Sequence, residues 1–234
     1  MITVIAEKKN ICNGVITIDE KGDVNHLKNV FRIKQGDCVR VVDGEKEYLT
    51  EAAELESKKI ILNIKSEKED SYTPNVEIDA AVGILKNDKM DLLIQKLTEI
   101  GISRVIPFTA KRSVVKLSEK KEKWDIISKE ALKQCQGVKF LEIAELTKLE
   151  NINYQEYDLI VVPYESEEDK KIFTVFSKNP KRVLYIIGPE GGFEKEEIEF
   201  LSGKGAAIVT LGKRILRAET AAIVAGGILV NGFN

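Results

Sequence analysis

Histidine is nearly missing from this chain, and its scarcity removes much chemistry at once. With His26 alone there is no His-rich metal site and no His-based nucleophile triad. The three cysteines, Cys12, Cys38 and Cys135, lie far apart with no CxxC spacing, which argues against a disulfide framework and a zinc site. Asp and Glu are scattered without metal-ligand spacing, so no metal is expected. A GxSxG elbow is absent. A phosphate-cradling GxxxxGK[ST] loop fails too, since Gly212-Lys213 is followed by Arg214 and Ala207 stands where the first Gly belongs. No GxGxxG follows an expected strand, which removes the usual dinucleotide fingerprint. Long apolar runs are also wanting. The longest, near residues 220–230, is too short to span a bilayer. Glu7-Lys8 interrupts the start too early for a signal peptide, so a reduced cytoplasmic protein is expected.

What is present is globular. Hydrophobic residues make up 43% of the 234, enough for a core, and the length suits one large domain or two smaller ones. The 36 Lys and Arg nearly balance the 38 Asp and Glu, leaving a net charge of −2. Within 86–116 the balance tips, with Lys86, Lys89, Lys96, Arg104, Lys111, Arg112 and Lys116 against Asp88, Asp91 and Glu99. Such a stretch is either a solvated face or a focused patch for nucleic acid.

Periodicity divides the chain. Ile2–Ile5, Gly14–Ile18, Asp37–Val42, Lys46–Ala53 and Lys59–Ile64 are short β-branched runs, with a hairpin signal at Asp43-Gly44 and one helical turn at 25–32. They suggest a small β-barrel over 1–68. A polar stretch ending at Pro74 reads as a linker. From 74 to 234, buried apolar runs at 76–85, 104–109, 158–163, 183–188 and 207–211 alternate with helices. Those helices are expected at 88–100, 119–136, 168–177, 194–203 and 219–230, which predicts an α/β domain with a parallel sheet.

Two segments follow buried strands in that domain. Ile187-Gly-Pro-Glu-Gly-Gly-Phe193 opens an acidic helix, and its glycines suit either a tight turn or a backbone-lined pocket at the carboxyl end of a strand. Leu211-Gly-Lys-Arg-Ile-Leu-Arg-Ala-Glu-Thr-Ala221 enters an Ala/Gly-rich helix. Glu219 or Thr220 serves equally well as a helix cap, whereas Arg217, set between Leu216 and Ala218, needs a partner.

Together these segments resemble the ligand-binding motifs of SPOUT methyltransferases, and more narrowly those of the ribosomal RNA small subunit methyltransferase E family. KMDLLIQKLTEIG at 89–101 with Lys111-Arg112-Ser113, and NHLKNVFRIKQGD at 25–37, extend the resemblance over nearly the whole chain. Two stretches depart from the family pattern, the Met-Ile-Thr-Val start and Lys133–Gly137.

The resemblance implies a PUA-like β-barrel that binds RNA, followed by a SPOUT parallel sheet with a C-terminal trefoil knot. It implies S-adenosylmethionine (SAM) as cofactor, held by Gly188, Glu190, Gly191, Leu211, Gly212, Ile215, Leu216 and Thr220. The reaction implied is methylation of N3 of a uridine in 16S rRNA. Arg217 is then expected to stabilise the charge left by deprotonation, and Glu219 to take the proton. RNA contacts are expected from His26, Asn29, Arg32, Lys111 and Arg112, although Arg32 equally suits pairing with Asp37 or Asp43. A homodimer and the assembled small ribosomal subunit are the expected partners, with no membrane. The final helix, apolar on all sides, is expected to be fully buried. The same residues are compatible with a SPOUT enzyme acting on another nucleotide or a ribose 2′-hydroxyl, or with a noncatalytic ribosome-assembly protein.

Overall fold

Alternation of β-branched and polar residues sets up the first sheet. In a computed structural model describing residues 1–115 and 117–233, its strands are β1 (Ile2–Ile5), β2 (Ile11–Cys12), β3 (Val15–Ile18), β4 (Cys38–Val42), β5 (Lys46–Leu55) and β6 (Ile60–Glu69). Lys116 lies outside the described residues. The strand order is β1-β4-β5-β6-β3-β2, with β1 and β4 parallel and the other pairs antiparallel. Inward residues such as Val4, Ile16, Ile18, Val39, Val41, Ile60 and Leu62 form one buried cluster with Leu27. The β4–β5 hairpin turns at Gly44, with φ of 95°, while the Asp43 carboxylate accepts from the amides of Glu45 and Lys46. Where a helical turn is expected, α1 (Lys21–Asn25) runs into a π-helical turn at His26–Val30.

The second sheet contains β7 (Glu77–Gly83), β8 (Arg104–Thr109), β9 (Glu142–Ile143), β10 (Thr147–Lys148), β11 (Leu159–Pro163), β12 (Arg182–Ile187) and β13 (Ala207–Val209). Its order is β10-β8-β7-β12-β11-β13, with β9 on β8, and every pairing is parallel. Helices α2 (Asn87–Ile100), α3 (Lys123–Cys135), α4 (Lys195–Gly203) and α5 (Ala218–Phe233) accompany it. Both faces are covered. Ile78, Ala80 and Val82 belong to one apolar cluster, and Ala81, Leu184 and Ile186 to another. The two-residue strands β9 and β10 are too short to reveal alternation in the sequence.

One expected helix is not formed. Residues 168–177 give only a 3-10 segment at Ile172–Ser177. The preceding backbone pairs with Thr210 instead, whose amide donates to the Lys170 carbonyl while its own carbonyl accepts from the Ile172 amide. That exchange pins the segment to the end of β13 and leaves too few residues for a regular helix.

The amino ends of three neighbouring strands converge on Asp79, which is buried in β7. Its Oδ2 accepts from Arg104 Nε at 3.1 Å, Arg182 Nη2 at 3.2 Å and Tyr157 Oη at 2.8 Å. Burial, followed by the bond to Asp79, raises the Tyr157 phenol above its ordinary range.

Helix α5 corrects the expectation of burial on every side. Ala222, Ala225, Gly226, Leu229 and Val230 are buried, but Thr220, Val224 and Asn231 are exposed. Their spacing of four and seven residues places them on one uncovered face. On the buried face, Tyr185 Oη donates to the Ala222 carbonyl, and a Cβ at Gly226 would stand 2.9 Å from that hydroxyl. Among the described residues no helix is long and apolar enough to cross a membrane.

By contact the chain falls into two units. The first is Met1–Thr73 together with Leu132–Phe140, and the second is the remainder. The inserted segment is well anchored within the first unit. Leu132 and Val138 pack with Val42 and Ile5, and Lys133 Nζ is 2.6 Å from Asp23 Oδ1. The nearly buried Arg40 donates to the carbonyls of Gln136 and Gly137. Lys133–Gly137, which departs from the family pattern in sequence, thus forms a packed helix end with a basic cap.

Candidate functional site

The carboxyl ends of β11, β12 and β13 open into a cleft of about 370 Å³. Ligands of parallel α/β sheets bind at such an edge, and the volume falls within the roughly 300–1,000 Å³ of small-molecule pockets. Its walls are the segment after β12 (187–193), the segment after β13 (210–217), Lys89 from the first turn of α2, and Pro163–Glu165.

Glycine shapes the first wall by close approach. A Cβ at Gly188 would sit 3.1 Å from the Phe193 ring, and one at Gly191 would sit 2.9 Å from both Cβ and O of Arg112. Positive φ is confined to Gly192, at 70°, so Gly191 is required for space and Gly192 for conformation. A glycine outside both segments also shapes this wall, and nothing in its sequence setting marks it. Gly83, at the end of β7, lies under Pro189, and a Cβ there would collide with the Pro189 nitrogen. Gly83→Ala is therefore expected to destabilise the fold by about 1–3 kcal/mol through overpacking. Urea denaturation measures this, and a variant as stable as the parent would show that the loop yields without cost.

Helix α4 fixes the far end of that wall. Glu194 and Glu197 form a capping box, and the buried Glu197 also accepts from the Lys111 amide at 2.9 Å. In the second wall the Thr210 hydroxyl bonds both the amide and the carbonyl of Gly212, whose φ is 130°.

Of the residues expected to hold the cofactor, Gly188, Glu190, Gly191, Leu211, Gly212, Ile215 and Leu216 all line this cleft, and Arg217 does as well. Thr220 does not line it; it is exposed on the open face of α5. Glu219 is also absent from the wall. It is 8% exposed, and its Oε2 is buried with no hydrogen-bond donor. Lys89 Nζ lies 3.7 Å from that oxygen and 2.5 Å from Glu190 Oε1. The bond with Glu190 holds the Lys89 ammonium above the ordinary lysine range.

The residues expected at RNA fall in two places. Lys111 and Arg112 belong to the second unit and face acidic side chains. Lys111 Nζ is 3.2 Å from Glu194 and 3.6 Å from Glu196, Arg112 Nε is 3.7 Å from Glu194, and Arg112 Nη1 donates to the Gly191 carbonyl. These bonds brace the cleft wall, and both side chains remain half exposed. His26, Asn29 and Arg32 lie in the first unit on the π-helical turn and just past it. His26 stacks on Phe31 with ring centroids 4.7 Å apart, Asn29 donates to Asn25, and Arg32 is exposed with a φ of 52°. Asp37 and Asp43, the alternative partners of Arg32, are occupied by backbone amides of Lys34 and of Glu45 and Lys46.

Comparison with known proteins follows this division. An RNA methyltransferase domain family matches residues 72–230, and an RNA methyltransferase PUA domain family matches 18–65. The ribosomal RNA small subunit methyltransferase E of Bacillus subtilis is 34% identical over 87% of this chain and 85% of its own. Its namesake in Mesomycoplasma hyopneumoniae is 35% identical over 86% and 87%. A Legionella pneumophila protein solved in complex with the bound cofactor SAM is 28% identical, with a TM-score of 0.84 over 97% of this chain and 96% of that one.

Proposed function

The chain belongs to the ribosomal RNA small subunit methyltransferase E family, and from that premise we propose that it transfers a methyl group from SAM to N3 of one uridine in 16S rRNA. The observation that carries the reading is the cleft itself. Both family segments, far apart in sequence, form its walls, and glycines leave its peptide groups open to a ligand. SAM, when bound, supplies an electrophilic methyl carbon, so the reaction needs neither a metal nor a covalent enzyme intermediate.

Gly188, Glu190, Gly191, Leu211, Gly212, Ile215 and Leu216 would hold SAM. Uracil N3 carries a proton, and its removal leaves negative charge on the ring oxygens. Arg217, which lines the cleft, stabilises that charge. Glu219 takes the proton through a water, since its carboxylate lies off the cleft wall and its Oε2 has no other donor. Thr220, exposed beside it, is kept in the reading only as a residue of the cofactor motif. His26, Asn29 and Arg32 contact RNA from the first unit, and Lys111 and Arg112 from the second, with Lys111 and Arg112 also bracing the 187–193 loop.

The reading includes closure of the first sheet as a PUA-like barrel spanning 1–68, and a trefoil knot in a SPOUT domain spanning 74–234. Adjacent parallel strands β11, β12 and β13, with α5 entered soon after the last, support the knot. It also includes a cytoplasmic homodimer acting on assembled small subunits. The uncovered face of α5, with Val224 between Thr220 and Asn231, supports the dimer. Light scattering is expected to give twice the 26.2 kDa of the chain, and a monomer mass would refute it.

Nucleoside mass spectrometry tests the reaction. Unmethylated small subunits and naked 16S rRNA are each incubated with the protein and SAM. The expected product is 3-methyluridine, in the assembled subunits. Methylation of another base or of a ribose would shift the acceptor while keeping the cofactor, and SAM binding without any product would leave an RNA-binding protein.

A further inference from the structure

Glu190 lines the cleft in the segment after β12, whereas Glu219 lies behind its surface in the first turn of α5, between the lining residues Ala218 and Ala221. They share one cation. Lys89 Nζ is 2.5 Å from Glu190 Oε1 and 3.7 Å from Glu219 Oε2, and Lys89 itself lines the cavity. The three side chains are 27%, 18% and 10% exposed, so solvent screens their attraction only in part.

Helix stability does not account for this lysine. Lys89 stands in the first turn of α2, where the macrodipole is positive and a cation is unfavourable by about 0.3–1 kcal/mol. Something must offset that cost, and the two carboxylates do. Nor is Lys89 suited to act as a base, because the bond with Glu190 keeps it an ammonium. Glu219 Oε2, buried and without a hydrogen-bond donor, has this ammonium as its compensating charge.

We propose that Lys89 is a positioning residue for the cofactor: its ammonium ties the 187–193 loop to the start of α5 and so sets the separation of the two walls between which SAM binds. The proposal rests on the cleft being the SAM site. It assigns to α2 a part in cofactor binding that neither glycine-bearing segment performs alone.

Calorimetric titration with SAM tests it on the full chain. Lys89→Met is expected to weaken SAM binding by about tenfold or more, as for loss of a shared network, with Lys89→Arg recovering affinity to within about threefold. A purely structural lysine would lower the melting temperature and spare affinity in the folded variant. The sharper readout is a double-mutant cycle between Glu190→Gln and Glu219→Gln. The two effects on SAM affinity are expected to be non-additive in the parent and additive in the Lys89→Met background. SAM affinity within about twofold of the parent in folded Lys89→Met would overturn the proposal, as would coupling that persists without the lysine. Should Lys89→Met not fold, additivity of the two carboxylate variants in the parent overturns it. If the unaltered chain does not bind SAM, the functional reading itself fails, which separates the two outcomes.

Discussion

Arg217→Ala is expected to lower the rate of methyl transfer by about 10²- to 10³-fold, the usual cost of deleting a donor aimed at developing charge. Arg217 lines the cleft on the strand-to-helix segment that leads into α5. Its neighbour Lys89 is already engaged by Glu190 and Glu219, whereas Arg217, like Lys213 and Arg214, lines the cleft beyond that network. SAM affinity should change little if, as proposed, the two glycine-bearing segments hold the cofactor. Single-turnover methylation beside calorimetric SAM titration separates the effects, and parallel loss of both would make Arg217 structural. Arg217→Lys should recover only part of the rate, since an ammonium lacks the planar fork that contacts two acceptors at once.

Asp79→Ala is expected to cost about 3–5 kcal/mol of stability, the range for removing one partner of a buried ion pair. The carboxylate is 1% exposed and serves Arg104, Arg182 and Tyr157 together. Without it, two guanidinium groups face each other at the amino ends of β8 and β12. Glu156 and Glu77 lie at the rim and compensate only partly. Denaturant unfolding followed by circular dichroism measures the loss. A change below about 1 kcal/mol would mean that the rim carboxylates suffice, as they do for exposed pairs.

The parallel sheet was legible because its strands are continuous apolar runs, and α2 and α3 showed helical spacing, whereas α5 is apolar all round and showed none. The short strands β9 and β10 offered no period to read, and the 3-10 segment at Ile172–Ser177 is set by Thr210, far along the chain. Within the site, the glycine-bearing segments announced themselves by composition. Lys89 did not, because its role depends on Glu190, 101 residues away. Gly83 closes an apolar strand and looks like any strand end until Pro189 is found above it. Arg217 was marked by its setting between apolar residues, whereas the burial of Glu219 follows from packing that periodicity does not express.

The order in which the chain is made bears on the insertion of Leu132–Phe140 into the first unit. Val42 and Ile5 are synthesised early, but their packing partners Leu132 and Val138 come much later. Arg40 likewise waits for the carbonyls of Gln136 and Gly137. At about 5–20 residues per second, the 67 residues between Thr73 and Phe140 delay completion of that unit by roughly 3–13 seconds. During this interval the nascent sheet carries an unfilled apolar patch and a guanidinium that has Glu47 but still lacks its two carbonyl acceptors. The first unit is therefore finished only after much of the second has already been made.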